Sequence, residues 1–115
     1  SVWERHAGAL HVRAPEEYES VYRFVPGEAL LGYNVHANCF VYPLYRANFS
    51  QRIIYVPFSA DEDCRPIAEA MTARGTRYLF VAPEHTLDEN IARLRSCAED
   101  GTILRERAIG LYVIR

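Results

Sequence analysis

The sequence predicts an α/β domain: a three-layer αβα sandwich around a mostly parallel sheet of about five strands, Rossmann-like or flavodoxin-like, with a hairpin at its C-terminal edge. Three observations predict it. Short apolar runs alternate with helical patterns along the chain, the order that βαβ crossovers produce. The runs are near-continuous rather than alternating, as expected of strands covered on both faces. And 115 residues, half of them hydrophobic, suffice for one sheet with packed helices but not for two cores. A single domain over residues 1–115 is the expectation.

The first helix is expected from Pro15 to Phe24. Pro15 suits the opening turn, Glu16 and Glu17 sit near the positive end of the helix dipole, and Tyr18, Val21 and Tyr22 face inward. Pro26-Gly27 ends it. The clearest helix spans Asp61 to Arg74: Ser59-Ala60-Asp61-Glu62 has the spacing of a capping box, Gly75 follows as a stop, and Ile67, Ala68 and Met71 form the apolar face. A third runs from about Leu87 to Ala98. There Thr86-Leu87-Asp88-Glu89 repeats the capping-box spacing, Leu87, Ile91, Leu94 and Ala98 recur at helical intervals, and Gly101 closes the element.

The strands are expected at Ala29–Tyr33, Arg52–Val56 and Arg77–Val81. Two more, Thr102–Arg107 and Leu111–Arg115, alternate in part and are read as a hairpin forming an exposed edge. Residues Val35 to Ser50 are apolar and aromatic but interrupted by Pro43, which suggests an irregular helix or loop.

Composition excludes several functions. The net charge of -2 and pI near 6.1 give no attraction to phosphate backbones, so nucleic acid is not an expected partner. All 13 basic residues are Arg, and without Lys neither a P-loop nor a phospho-receiver site can be assembled. No Gly-rich turn follows the first strand and no G-x-S-x-G elbow exists, which removes dinucleotide binding and the serine-hydrolase nucleophile. No cofactor is implied. The three cysteines, Cys39, Cys64 and Cys97, form no C-x-x-C and are odd in number, so they read as small buried hydrophobes and not as a disulfide framework. No run approaches the ~20 apolar residues of a membrane span, and no direct membrane insertion is expected.

Ligands of open α/β sheets gather at the carboxyl ends of the strands. The loops there carry Asn34, His36, Asp61, Asp63, Glu84 and His85. Imidazoles and carboxylates can ligate metal or move protons, but these lack a spacing such as H-E-x-x-H that fixes two ligands on one helical face. Helix-capping and turn roles account for the same residues, and no metal ligand or catalytic residue is assigned. Tyr42, Tyr45 and Phe49 can form an aromatic patch for sugar or for another domain, or pack on the sheet. Asn48-Phe49-Ser50 matches the N-glycosylation triplet, a pattern common by chance.

The stretch from Tyr42-Pro43-Leu44-Tyr45 through Arg52-Ile53-Ile54-Tyr55-Val56 resembles a Tyr-Pro-Leu-Tyr-Gly followed by Asn-Arg-Val-x-Tyr-Val pattern. That pattern is associated with the soluble C-terminal domains of polytopic membrane glycosyltransferases similar to dolichyl-phosphate-mannose protein mannosyltransferases. Arg46 stands in place of the Gly. Pro26-Gly27 before the first strand, the Arg74–Val81 run and the closing Gly110-Leu111-Tyr112 agree in outline. The resemblance implies a non-catalytic accessory domain on the extracytoplasmic face of the cell membrane, with the catalytic carboxylate elsewhere in the parent protein. It implies the membrane-embedded portion of the same polypeptide as partner, and sugar or acceptor substrate as possible ligand. A chain that opens on Ser1 directly before patterned sequence fits a segment excised from a longer membrane protein. Asn34, His36, Tyr42, Tyr45, Glu84 and His85 are the candidate ligand contacts. The competing reading is a free-standing cytosolic small-ligand-binding or metal-dependent domain using His36, Glu84 and His85. A third is an interaction module docking through Phe40 to Phe49.

Overall fold

The computed structural model describes residues 18–35, 51–82 and 86–115. In chain order these form α1 (Glu19–Phe24), β1 (Leu30–Tyr33), β2 (Arg52–Tyr55), α2 (Cys64–Ala73), β3 (Tyr78–Phe80), α3 (Asp88–Asp100), β4 (Leu104–Ala108) and β5 (Leu111–Ile114). The sheet is five-stranded and mixed, in the order β2-β1-β3-β5-β4. β1 pairs in parallel with β2 and with β3, while β5 is antiparallel to both β3 and β4. Four strands therefore share one direction and β5 alone opposes them.

Side chains alternate across the sheet with the period of two that a strand imposes. Tyr78, Phe80 and Ala82 join Tyr18, Val21, Val25, Leu31 and Leu111 on the side covered by α1. Leu79 and Val81 join Ile67, Met71, Ile91, Leu94, Leu104 and Tyr112 on the side covered by α2 and α3. The Tyr18 ring stacks on Phe80 with centroids 5.0 Å apart. Burial of each such side chain contributes about 1.5–3 kcal/mol, so these two clusters outweigh any single polar contact.

Several expectations change in detail. β5 is interior and almost wholly buried, and only β4, with Arg105, Glu106 and Arg107 exposed, forms the hairpin's outer edge. β2 is the other edge. Its ends Arg52 and Tyr55 are exposed although Ile53-Ile54-Tyr55 is an unbroken apolar run, because among the described strands β1 alone pairs with it. Tyr55 is instead sheltered by the edge of the Tyr33 ring, 5.5 Å away.

The Ser59–Glu62 box forms, but as a turn ahead of α2. The Ser59 N–H donates to Glu62 Oε2 at 3.2 Å and Ser59 Oγ accepts the Asp61 N–H at 3.2 Å. The helix then begins at Cys64, with Asp63 at its N-cap making no side-chain bond. Gly101 closes α3 as expected, accepting the left-handed conformation (φ 71°) while its N–H donates to Cys97 O at 2.9 Å. The buried face of α3 is Asn90, Ile91, Leu94 and Cys97, whereas Leu87, at the N-cap, is 49 % exposed. The face is thus turned by about one residue from the apolar repeat.

The largest departure concerns the cysteines. Cys64 and Cys97 are disulfide-bonded, with Cα atoms 5.6 Å apart, and tie the first residue of α2 to the C-terminal part of α3. Cys39 lies outside the described residues.

Two polar devices hold the strands at their amino ends. Thr76 Oγ1 accepts the N–H groups of Gly32 (3.2 Å) and Tyr78 (3.1 Å) and lies 2.7 Å from the Leu30 carbonyl to which it donates. Gly32 itself admits no side chain, since a Cβ there would lie 2.7 Å from Tyr78 O and 2.8 Å from Val56 Cγ2. Gln51, fully buried, donates through Nε2 to the carbonyls of Pro26 and Ala29 and so fixes the turn before β1 to the start of β2.

On the α2–α3 side, burial pushes the Tyr112 phenol above its ordinary 10.0, reinforced by a hydrogen bond to Glu106 and by its charge, and opposed by Arg95. The unfolded chain therefore releases this proton first. Stability is fully present below pH ~10 and falls as pH rises further. Alkaline unfolding curves should show Tyr112→Phe losing less stability above pH ~10 than the unaltered protein. Identical curves would mean that this phenol ionises freely while the protein is folded.

Candidate functional site

The carboxyl ends of β1, β2 and β3 meet the amino end of α3, and Asn34 is the residue that joins them. The ladder continues one step past the strands. The Asn34 N–H donates to Phe80 O and the Val56 N–H to Tyr33 O, both at 2.9 Å. This places Asn34 between β2 and β3 at only 4 % exposure, where an unpaired amide would cost about 1–3 kcal/mol. Every part of it is engaged. Nδ2 donates to Val56 O at 2.9 Å, Oδ1 accepts from Asn90 Nδ2 at 3.2 Å, and the Asn34 carbonyl accepts the Thr86 hydroxyl.

This network explains why the second capping box does not form. Thr86 spends its hydroxyl on Asn34 across the sheet, the N-cap falls to Leu87 with no side-chain bond, and the Asn90 and Ile91 N–H groups bond to Leu87 O. Asp88 and Glu89 occupy the first turn, where the helix dipole favours negative charge. The start of α3 is thus anchored to the sheet by Thr86 and Asn90 in place of a local cap.

Of the candidate ligand contacts, Asn34 alone falls among the described residues, and its amide is taken up by the protein itself. His36, Tyr42, Tyr45, Glu84 and His85 lie outside them, as do the Asn48 triplet and the Phe40–Phe49 patch. Asp61 and Asp63 are exposed at the turn before α2. Among the described residues no group of three or more His, Cys, Asp or Glu is arranged to hold a metal ion, and no helix is long and apolar enough to cross a membrane. Arg93 adds a tie between elements, its Nε donating to Ala60 O at 2.9 Å.

No family model, curated protein or solved structure matches the chain. Sequence reasoning missed Thr86 and Asn90 as partners of Asn34. The signal for Asn90 was an amide three residues after Leu87, on the apolar side of α3, where a polar residue needs a buried partner.

Asn34→Ala removes both side-chain bonds and strands Val56 O and Asn90 Nδ2, with an expected cost of about 1–3 kcal/mol. Asn34→Asp should cost more, because a carboxylate oxygen then faces the Val56 carbonyl where an N–H stood. Urea unfolding of both variants checks the order. If Asn34→Asp is as stable as the unaltered protein, the amide is not the tie between these strands.

Proposed function

We propose that this domain is a non-catalytic, extracytoplasmic accessory domain of a membrane-bound, glycosyltransferase-like protein dependent on lipid-phosphate sugars. The observation that carries the reading is the Cys64–Cys97 disulfide. Such bonds form and persist in oxidising compartments and are rare in the reducing cytosol. The resemblance of Tyr42–Val56 to the soluble domains of that family points the same way. The hydrogen-bond network at Asn34 adds support, because among the described residues of that edge the buried amides of Asn34 and Asn90 bond within the protein. The placement of α1 on one side of the sheet and of α2 and α3 on the other fits a three-layer, Rossmann-like domain. In this role the domain packs against the membrane-embedded portion of its own polypeptide and contributes to acceptor or sugar contact through Tyr42, Tyr45 and His36.

The test is to express the full-length native gene, fractionate membranes from cytosol, and treat intact cells with a membrane-impermeant maleimide before and after a membrane-impermeant reductant. The proposal expects the product in membranes, with Cys64 and Cys97 labelled only after reduction. A product found in the cytosol, or one whose Cys64 and Cys97 are free thiols as isolated under thiol-blocking conditions, would overturn it.

A further inference from the structure

A cleft of about 810 Å³ opens between α1 and the turn of the β4–β5 hairpin, with Ser20, Arg23, Phe24 and Ile109 among its walls. It lies on the α1 side of the sheet, at the edge formed by β4, and its hairpin turn stands at the same carboxyl end of the sheet as Asn34, on β5 and β4 instead of β1. Two observations concern its chemistry.

Two guanidinium groups gather at one ring. Arg107 Cζ lies 4.0 Å and Arg23 Cζ 5.9 Å from the centroid of Phe24. Both arginines are exposed, and among the described residues neither has a carboxylate partner. Glu19 shares the wall one helical turn before Arg23 but forms no ion pair with it, so no carboxylate among the described residues neutralises the two cations. The other observation is Ile109, 76 % exposed, an apolar side chain held in water on the same cleft.

We propose that this cleft binds a phosphate monoester carrying an apolar body. The dianionic phosphate sits at the rim of the cleft between Arg23, in its wall, and Arg107, which stacks on Phe24 beside it, and their planar forks suit oxyanions. The apolar body lies along Phe24 and Ile109, which removes their surface from water. Two guanidinium groups without a carboxylate partner among the described residues match a dianion better than a monocarboxylate. The inference goes beyond the accessory role and does not rest on it, since the cleft is the same whichever side of a membrane the domain occupies.

The test is amide NMR titration of the 115-residue chain with three probes: phenyl phosphate, inorganic phosphate and phenol. Phenyl phosphate should give saturable shifts at Ser20, Arg23, Phe24 and Ile109. Inorganic phosphate should bind at the same place but more weakly, lacking the body, and phenol should leave those signals unmoved. The Arg23→Gln/Arg107→Gln variant should bind phenyl phosphate at least about tenfold more weakly, as expected for loss of charge-assisted bonds. Both substitutions are at exposed positions, and an unchanged melting curve verifies the fold. Raising the salt concentration supplies a readout that needs no variant, because solvent-exposed cations are screened and binding should weaken. The proposal fails if phenyl phosphate produces no saturable shift at the cleft. It fails equally if salt and the double substitution leave the affinity unchanged, or if inorganic phosphate or phenol binds as tightly as the ester.

Discussion

Removing the Cys64–Cys97 bond should destabilise the domain by about 3–4 kcal/mol, the chain-entropy value for a closed loop of this length. The two cysteines are 33 residues apart, and the loop they close contains all of α2 and β3 and most of α3. In the unfolded chain the bond therefore forbids a large set of conformations, whereas in the native state it joins two helices that already share one core cluster. For a domain of this size the loss corresponds to a fall in melting temperature on the order of 10 °C. The comparison is between the unaltered protein and Cys64→Ala/Cys97→Ala, both in a Cys39→Ser background that prevents thiol exchange. A change in melting temperature below about 2 °C would be much less than the entropic argument requires. It would mean that the bond adds little, or that the unfolded chain is already restricted there.

Why this bond was illegible in the sequence is a matter of geometry. Pairing requires Cα atoms within about 7 Å, and that depends on how α2 lies against α3, which no local pattern encodes. An odd cysteine count was the only available signal, and Cys39 made it misleading. The same distinction between local and non-local information runs through the fold. The presence of the helices, the apolar face Ile67-Ala68-Met71, the stop at Gly101 and the strand runs are set by neighbours within one or two turns, and the sequence displayed them, whereas the amino ends of α2 and α3 were displaced by contacts it did not show. The antiparallel insertion of β5 between β3 and β4 depends on which edge the last hairpin finds, and its residues gave only partial alternation. At the carboxyl edge, Asn34 was legible as a strand-end residue because fold position alone marks it. Its role was not, because Thr86 and Asn90 lie 52 and 56 residues further along the chain. A hydroxyl suitable for a local cap gave no sign that it would be used across the sheet instead.

Gly110 should be the glycine least tolerant of substitution among those in left-handed conformation, with Gly110→Ala costing about 3 kcal/mol or more. It lies in the turn between β4 and β5 at φ 79°, where an L-residue alone costs roughly 1–2 kcal/mol. The remainder is steric. A Cβ at this position would stand 2.5 Å from the Val81 carbonyl oxygen, and the turn cannot retreat without breaking the bond from the Val81 N–H to Gly110 O at 2.8 Å. Gly75 provides the control: its φ of 78° is nearly the same, but a Cβ there would have as its nearest neighbour the flexible Leu30 Cδ2 at 3.9 Å. Gly75→Ala should therefore cost the conformational share only, and the difference between the two variants in urea unfolding measures the close approach of the hairpin to the end of β3. Equal costs would show that the turn yields freely. The hairpin turn also carries Ile109, a wall of the phosphate-ester cleft. A strained turn at Gly110→Ala should accordingly weaken phenyl phosphate binding, and Gly75→Ala, remote from the cleft walls, should leave it unchanged.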